Sequence, residues 1–110
     1  MQNEAALFKV LSDQTRLRMA VLLASHGETC VCRLAEALDE PDYKVSRHLG
    51  IMRSSGMVEA RREGTWMYYK LVEPRHRLEE CLQGCFRDCL AKHKTIKADM
   101  NRLEKATCAK

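Results

Sequence analysis

Apolar side chains recur at helical spacing along the first half of the chain. The pattern predicts four helices, at residues 4–11, from Gln14 to about Ser25, from about Cys30 to Leu38, and from Pro41 to just before Gly56. Asp13 is suited to cap the second helix and Gly27 to close it, while Pro41 fits the first turn of the fourth.

The pattern changes after Gly56. Residues 57–62 and 65–72 are rich in residues that favour strands, and Glu63-Gly64 between them predicts a tight turn. Pro74 ends the second strand, and a long helical segment is predicted from about Arg75. Two short helices joined by a brief connection and followed directly by a hairpin are typical of a winged helix-turn-helix. The predicted fold class is therefore mainly α with a β-hairpin wing.

Length and composition narrow the class of protein. The 110 residues predict a single domain over 1–110, and 45% apolar with 31% charged residues is a soluble, ordered balance. No apolar run approaches the roughly 18 residues that span a membrane, and the first residues lack a signal-peptide core, so we expect a cytoplasmic protein without a membrane partner. In a reducing cytoplasm, six cysteines indicate metal binding, redox sensing or buried small side chains rather than disulfides.

The fourth predicted helix has the composition of a recognition helix. Val45, Leu49 and Met52 would face the core. The side chains predicted to be exposed around its first turns are Tyr43, Lys44, Ser46, Arg47 and, toward the flank, His48. Such a helix inserts its N-terminal residues into the major groove, and Arg47 is the main candidate for a base or phosphate contact. A merely solvated helix face is the alternative.

Arg61 and Arg62 lie near the tip of the predicted hairpin. A wing in this position reaches backbone phosphates or the adjoining minor groove of double-stranded DNA. The net charge of +4 is compatible with such binding. An ordinary charged hairpin is the alternative.

Cys30 and Cys32 stand at the start of the third predicted helix. Residues two apart lie about 200° apart around a regular helix, so the pair could bind one ion only at the helix entrance, where the backbone is not yet regular. The helix dipole favours thiolate there, and thiolates select soft acceptors such as As(III), Sb(III), Cd(II), Pb(II) or Cu(I). The alternative is two half-buried small apolar residues.

Several motifs resemble the ArsR/SmtB family of metal-responsive repressors over nearly the whole chain. They are Ser-Asp-Gln-Thr-Arg-Leu-Arg (12–18), Glu-Thr-Cys-Val-Cys-Arg-Leu-Ala (28–35), Ser-Arg-His-Leu (46–49) and the wing from Gly56 to Leu71. The resemblance implies a homodimer, joined through its terminal helices, that binds an inverted-repeat operator and is released by an inducer. It implies no cofactor besides that inducer.

The resemblance also bears on the inducer. Arsenic-responsive members typically carry a third cysteine three residues after the second, and this chain has Ala35 there. As(III) or Sb(III) bound by Cys30 and Cys32 is favoured, with a third ligand from another cysteine, solvent or a small thiol. Cd(II) or Pb(II) is the alternative, because Ala at this place also resembles the cadmium- and lead-responsive members.

The predicted terminal helix carries a row of cysteines at four-residue spacing, Cys81, Cys85 and Cys89, which His93 extends. Neighbours four apart drift only about 40° around a helix, so they share one face. Because this face is also apolar, the row could be small residues at the dimer interface, a second inducer site, or a redox-switched thiol cluster. Cys108 is interpreted as a spectator, with a mobile metal ligand as the alternative.

Enzymatic function is not predicted. Cys-Val-Cys lacks the two-residue spacing of a redox pair, and no Ser/His/Asp or paired-carboxylate set is apparent. A metal-buffering protein would not need a recognition helix. A redox-responsive regulator that uses Cys81, Cys85 and Cys89 is the main rival to a metal-responsive repressor.

Overall fold

The computed structural model describes residues 1–108, so the last two residues of the predicted domain, Ala109 and Lys110, lie outside the described residues. The helices are α1 (Gln2–Leu11), α2 (Gln14–His26), α3 (Val31–Leu38), α4 (Asp42–Ser54), α5 (Arg77–Asp88) and α6 (Lys94–Lys105). The strands are β1 (Thr29–Cys30), β2 (Val58–Glu63) and β3 (Trp66–Leu71). A 3₁₀ turn, Leu90–Lys92, lies between α5 and α6. This architecture is mainly helical with a hairpin wing, as the sequence predicts.

Local capping explains where the first helices begin and end. The Asp13 side chain accepts a hydrogen bond from the Arg16 amide at 3.0 Å, which confirms it as the cap of α2. Gly27 ends α2 with φ 93°, a conformation that suits glycine. Asp39 ends α3 in the left-handed region at φ 56°, and the chain turns sharply there into α4. The helix-turn-helix is therefore held by short, defined connections.

The sheet has three antiparallel strands in the order β1-β3-β2. Cys30 pairs with Tyr68, so a short strand of two residues joins the wing to the start of α3. Glu63 pairs with Trp66, which makes Gly64-Thr65 the turn, one residue later than predicted. Gly64 takes φ 63° at the first turn position, so Glu63 stays in the ladder. β1 was not predicted, because two residues carry no alternation pattern.

The prediction of one long terminal helix is wrong. The chain leaves the α5 helix after Asp88, passes through the 3₁₀ turn and starts a new helix at Lys94. His93 caps α6, since its backbone is extended and its ring Nδ1 accepts a hydrogen bond from the Thr95 amide at 3.0 Å. Because α5 and α6 are separate helices, the apolar face predicted for the terminal helix is not one continuous surface. Ile96 and Leu103 of α6 instead pack into the main core.

A buried carboxylate fixes α6 against α2 and α3. Asp99 is 0% exposed and accepts hydrogen bonds from Arg18 Nε at 2.8 Å and Arg18 Nη2 at 2.7 Å. Arg102 Nη2 donates to the same carboxylate at 2.6 Å, and Arg102 Nε donates to the Ala37 carbonyl at 2.8 Å. The hydrogen bond with Asp99 raises the pKa of Arg18, which keeps this guanidinium charged at neutral pH. One ion cluster thus joins three helices.

Removing this carboxylate should destabilise the fold. We expect Asp99→Ala to lower the free energy of unfolding by about 3 kcal/mol, because two arginines lose their partner and one of them is partly buried. The matched control is Asp88→Ala, which removes an exposed aspartate at the end of α5. Urea denaturation followed by circular dichroism measures both variants. Equal stability of the two variants would show that the Asp99 cluster does not hold α6 in place.

Candidate functional site

The exposed face of α4 matches most of the predicted recognition surface. Tyr43 is 73% exposed, and Ser46 and Arg47 are exposed beside it. Lys44 is half-buried and forms an ion pair with Glu40 at 3.1 Å. The inward positions predicted for this helix, Val45, Leu49 and Met52, are fully buried. The helix therefore presents one polar face that carries Arg47 near its start.

The expectation that His48 is exposed is wrong. His48 is 8% exposed, and its Nδ1 lies 3.2 Å from Arg16 Nη1 and 3.9 Å from Asp13 Oδ2. It comes three residues after buried Val45, so it turns toward the start of α2. Burial lowers the pKa of His48, so its ring is neutral near pH 7 and can accept a hydrogen bond from Arg16. His48 therefore connects α4 to the start of α2 through its contacts with Arg16 and Asp13.

The two wing arginines differ in their surroundings. Arg61 Nε donates to Glu28 Oε1 at 3.0 Å, its Nη1 donates to Glu63 at 2.6 Å, and its guanidinium lies 4.7 Å from the centre of the Tyr68 ring. These bonds raise the pKa of Arg61, the hydrogen bond with Glu28 most of all. Arg62 is exposed and, as its neighbour along a strand, points to the opposite face. The two side chains therefore leave opposite faces of the wing.

Cys30 and Cys32 lie at the entrance of α3. Cys30 ends β1 and is the N-cap of α3, with extended backbone at φ −78° and ψ 154°. It is 6% exposed, whereas Cys32 is half-buried in the first turn of the helix. Because Cys30 precedes the regular helix, the two side chains are not held about 200° apart. Sharing one ion would still require Cys30 to move, because the group of close ligand atoms around Cys32 does not include Cys30.

The segment after α6 returns to this entrance, an approach that no sequence pattern predicts. Cys108 forms a disulfide with Cys32, with Cα atoms 6.1 Å apart. The Sγ of Cys108 lies 3.8 Å from Glu36 Oε1, one helical turn beyond Cys32. One ligand atom from each of Cys32, Glu36 and Cys108 lies within 4.8 Å of the others. The i, i+4 spacing of Cys32 and Glu36 was visible in the sequence, but the approach of Cys108 was not.

A cavity of about 430 Å³ opens beside this cluster. Its lining comes from the entrance of α3, the wing and the segment after α6: Cys30, Arg33, Glu63, Gly64, Thr65, Trp66, Tyr68 and Cys108. Cys108 thus bonds to Cys32 and also shares a cavity wall with Cys30. The structure gathers three of the six cysteines around one end of α3.

The cysteine row of the terminal segment is less compact than predicted. Cys81 and Cys85 lie on α5, but Cys89 follows the last residue of that helix, and His93 caps α6 instead of extending the row. Cys81 and Cys89 are exposed, and Cys85 is half-buried. Burial, together with the neighbouring Cys89, raises the pKa of the Cys85 thiol and so disfavours thiolate. Within residues 1–108, these three sulfurs do not form a group like that of Cys32, Glu36 and Cys108.

None of the helices in residues 1–108 is both long enough and apolar enough to cross a membrane.

Known proteins resemble this chain mainly over its helix-turn-helix and the start of the wing. The arsR family of bacterial regulatory proteins matches residues 13–60, from the cap of α2 into β2. The arsenic resistance transcriptional regulator ArsR2 of Pseudomonas putida is 54% identical over 65 residues, which are 59% of this chain and 56% of that protein. The chain therefore spans little more than half the length of this relative. A cadmium resistance transcriptional regulatory protein, the CadC homolog of Staphylococcus aureus, is 39% identical over 67 residues.

Two further matches extend over most of the compared protein. The HTH-type transcriptional regulator MJ1325 of Methanocaldococcus jannaschii is 42% identical over 74 residues, which are 67% of this chain and 83% of that protein. The solved homodimeric winged helix-turn-helix DNA-binding domain Mb0332 of Mycobacterium bovis is 34% identical, with a TM-score of 0.66 over 84% of this chain and 86% of that one. Because the family match spans the helix-turn-helix and MJ1325 is matched over 83% of its length, the chain belongs to the arsR family of bacterial regulatory proteins.

Proposed function

We propose that the chain is a cytoplasmic, metal(loid)-responsive transcriptional repressor. As a homodimer it binds an inverted-repeat operator through α4 and the wing, and it leaves the DNA when a thiophilic inducer, As(III) or Sb(III), binds Cys30 and Cys32. The observation that carries this proposal is the position of the two cysteines. Cys30 caps α3 and Cys32 lies in its first turn, within the helix that packs against the recognition helix.

The DNA-binding part of the proposal is supported by the exposed start of α4. Tyr43, Ser46 and Arg47 project from its first turns, where a recognition helix contacts base edges. The wing supplies an exposed arginine, Arg62, for the phosphate backbone. The Mycobacterium bovis domain, which has the same fold, is a homodimer, and a dimer would present two such helices to two half-sites.

Arsenite is favoured as the inducer over Cd(II) or Pb(II). The relative named for arsenic resistance is 54% identical, whereas the relative named for cadmium resistance is 39% identical over a similar length. Ala35, where a third cysteine would be expected, is 3% exposed and faces the core. That side chain position is therefore not available to an ion at the helix entrance, and a third ligand must come from elsewhere.

The coupling between inducer and DNA would follow from the short connection between α3 and α4. Two thiolates can share one ion only if Cys30 and the first turn of α3 move together. The tight turn at Asp39 would make α4 move with α3, because the connection between the two helices is too short to absorb the displacement. A coupling of about 1–3 kcal/mol between the two binding events would weaken DNA binding roughly 5- to 150-fold.

The recognition role of α4 can be tested with two arginine variants. We expect Arg47→Ala to raise the Kd for DNA about tenfold or more, since it removes a base or phosphate contact. Arg53→Ala removes the same charge from the exposed last turn of α4 and should have a much smaller effect. Fluorescence anisotropy with a duplex selected from a random pool by the unmodified protein gives both values. A similar loss in both variants would point to general electrostatic attraction instead of recognition by the start of α4.

The inducer role of the cysteine pair can be tested by DNA release. The Cys30→Ser/Cys32→Ser variant should bind DNA normally but remain bound when As(III) or Sb(III) is added, because the soft ligands are gone. The matched control, Cys81→Ser/Cys85→Ser, should release DNA as the unmodified protein does. The same titration with Cd(II), Pb(II) and peroxide ranks the inducers. Release of the Cys30/Cys32 variant by As(III) would rule out this pair as the sensor.

A further inference from the structure

We propose that Cys108, on the segment after α6, supplies the third thiolate of the inducer site. Trivalent arsenic or antimony would then be held by Cys30, Cys32 and Cys108 of one protomer. The inference rests on the proposed function of Cys30 and Cys32 and names the ligand that Ala35 cannot provide.

The path of the chain after α6 brings Cys108 to the entrance of α3. Arg33 of α3 donates from Nη2 to the Leu103 carbonyl at 2.9 Å, and Leu103 is fully buried. The last turn of α6 is thereby fastened beside the first turn of α3. Ala106 then takes an extended conformation, at φ −66° and ψ 129°, which ends the helix and turns the chain toward Cys32. Cys108 reaches the site because its helix is docked there.

Cys32, Cys108 and Cys30 lie around one end of α3. Cys32 and Cys108 are close enough to bond, so in the reduced protein both thiols would face one small volume. Cys108 also lines the same cavity as Cys30. Cys30 does not belong to the compact group that Cys32 and Cys108 form with Glu36. It would therefore have to move toward the other two sulfurs, and this movement is the distortion at the entrance of α3 that the repressor mechanism needs.

Binding of arsenite requires reduction of the Cys32–Cys108 disulfide and then exchange of oxygen for sulfur on arsenic. The disulfide is first reduced by two molecules of a small thiol, which together supply two electrons and two protons and are oxidised to one small-molecule disulfide. Arsenous acid, As(OH)₃, then exchanges three As–O bonds for three As–S bonds. Each thiol proton leaves with a hydroxide as water, so three waters are released and arsenic remains trivalent. Soft arsenic favours this thiolate set over one that includes the oxygen of Glu36.

The test uses the full chain, reduced with a phosphine that does not compete as a thiol would. Arsenic-edge X-ray absorption counts the sulfur ligands of bound As(III), and fluorescence anisotropy follows DNA release. We expect three sulfurs on arsenic in the unmodified protein and two in Cys108→Ser and Cys108→Ala. The arsenite concentration for half-release should rise about tenfold or more in both variants. Glu36→Gln, the matched control within the same cluster, should keep three sulfurs and the original half-release concentration.

The outcomes separate this inference from the proposed function. Three sulfurs on arsenic and unchanged release in the Cys108 variants would overturn the role of Cys108, while an unresponsive Cys30→Ser/Cys32→Ser variant would leave the repressor proposal intact. Loss of arsenic binding in Glu36→Gln would overturn the all-sulfur site in favour of a mixed one. A third outcome is that peroxide releases DNA only when Cys108 is present, while As(III) releases the Cys108 variants as it does the unmodified protein. Cys108 would then be a redox switch, and its proposed role as an arsenic ligand would be overturned.

Discussion

The buried carboxylate of Asp99 determines where the last part of the chain lies. It is fully enclosed and accepts hydrogen bonds from Arg18 of α2 and Arg102 of α6, and Arg102 also reaches a carbonyl at the end of α3. A buried charge is tolerable only when it is paired, so α6 cannot shift without breaking these bonds. The position of α6 in turn places the following segment, and with it Cys108, beside the first turn of α3. The candidate inducer site therefore depends on the Asp99 ion cluster, although none of the proposed cysteine ligands is part of that cluster.

The entrance of α3 is the second point on which function depends. Cys30 pairs with Tyr68 of the wing and at the same time caps α3, whose other end turns sharply into α4. Arg61 adds a link, because it bonds to Glu28 just before β1 and lies over the ring of Tyr68. The proposed ligands are therefore in direct connection with both elements proposed to contact DNA. A small movement at this point can reach α4 and the wing without a long path through the core.

Local patterns predicted much of the fold correctly. Helical periodicity and capping residues such as Asp13 and Gly27 act within a few residues, so the first four helices and the wing could be read from the chain. The break before α6 was missed because the pattern around His93 remained compatible with a helix, and only the hydrogen bond to Thr95 shows the cap. His48 was placed on the wrong side because its flank position can face either solvent or a neighbour. The packing of α4 against the start of α2 buries His48 and so decides for the neighbour.

The sequence by itself determined the family, the winged helix-turn-helix and the placement of Cys30 and Cys32 at a helix entrance, since motifs and short-range periodicity specify these. It showed Ala35 where arsenic-responsive members typically carry a third cysteine, and it left the third ligand open among another cysteine, solvent and a small thiol. Only the tertiary structure decided that Cys108 lies beside Cys32, because this approach joins residues 76 positions apart in the chain. No local pattern encodes such a distance. It follows from the docking of α6 through a buried ion pair and from the end of that helix at Ala106.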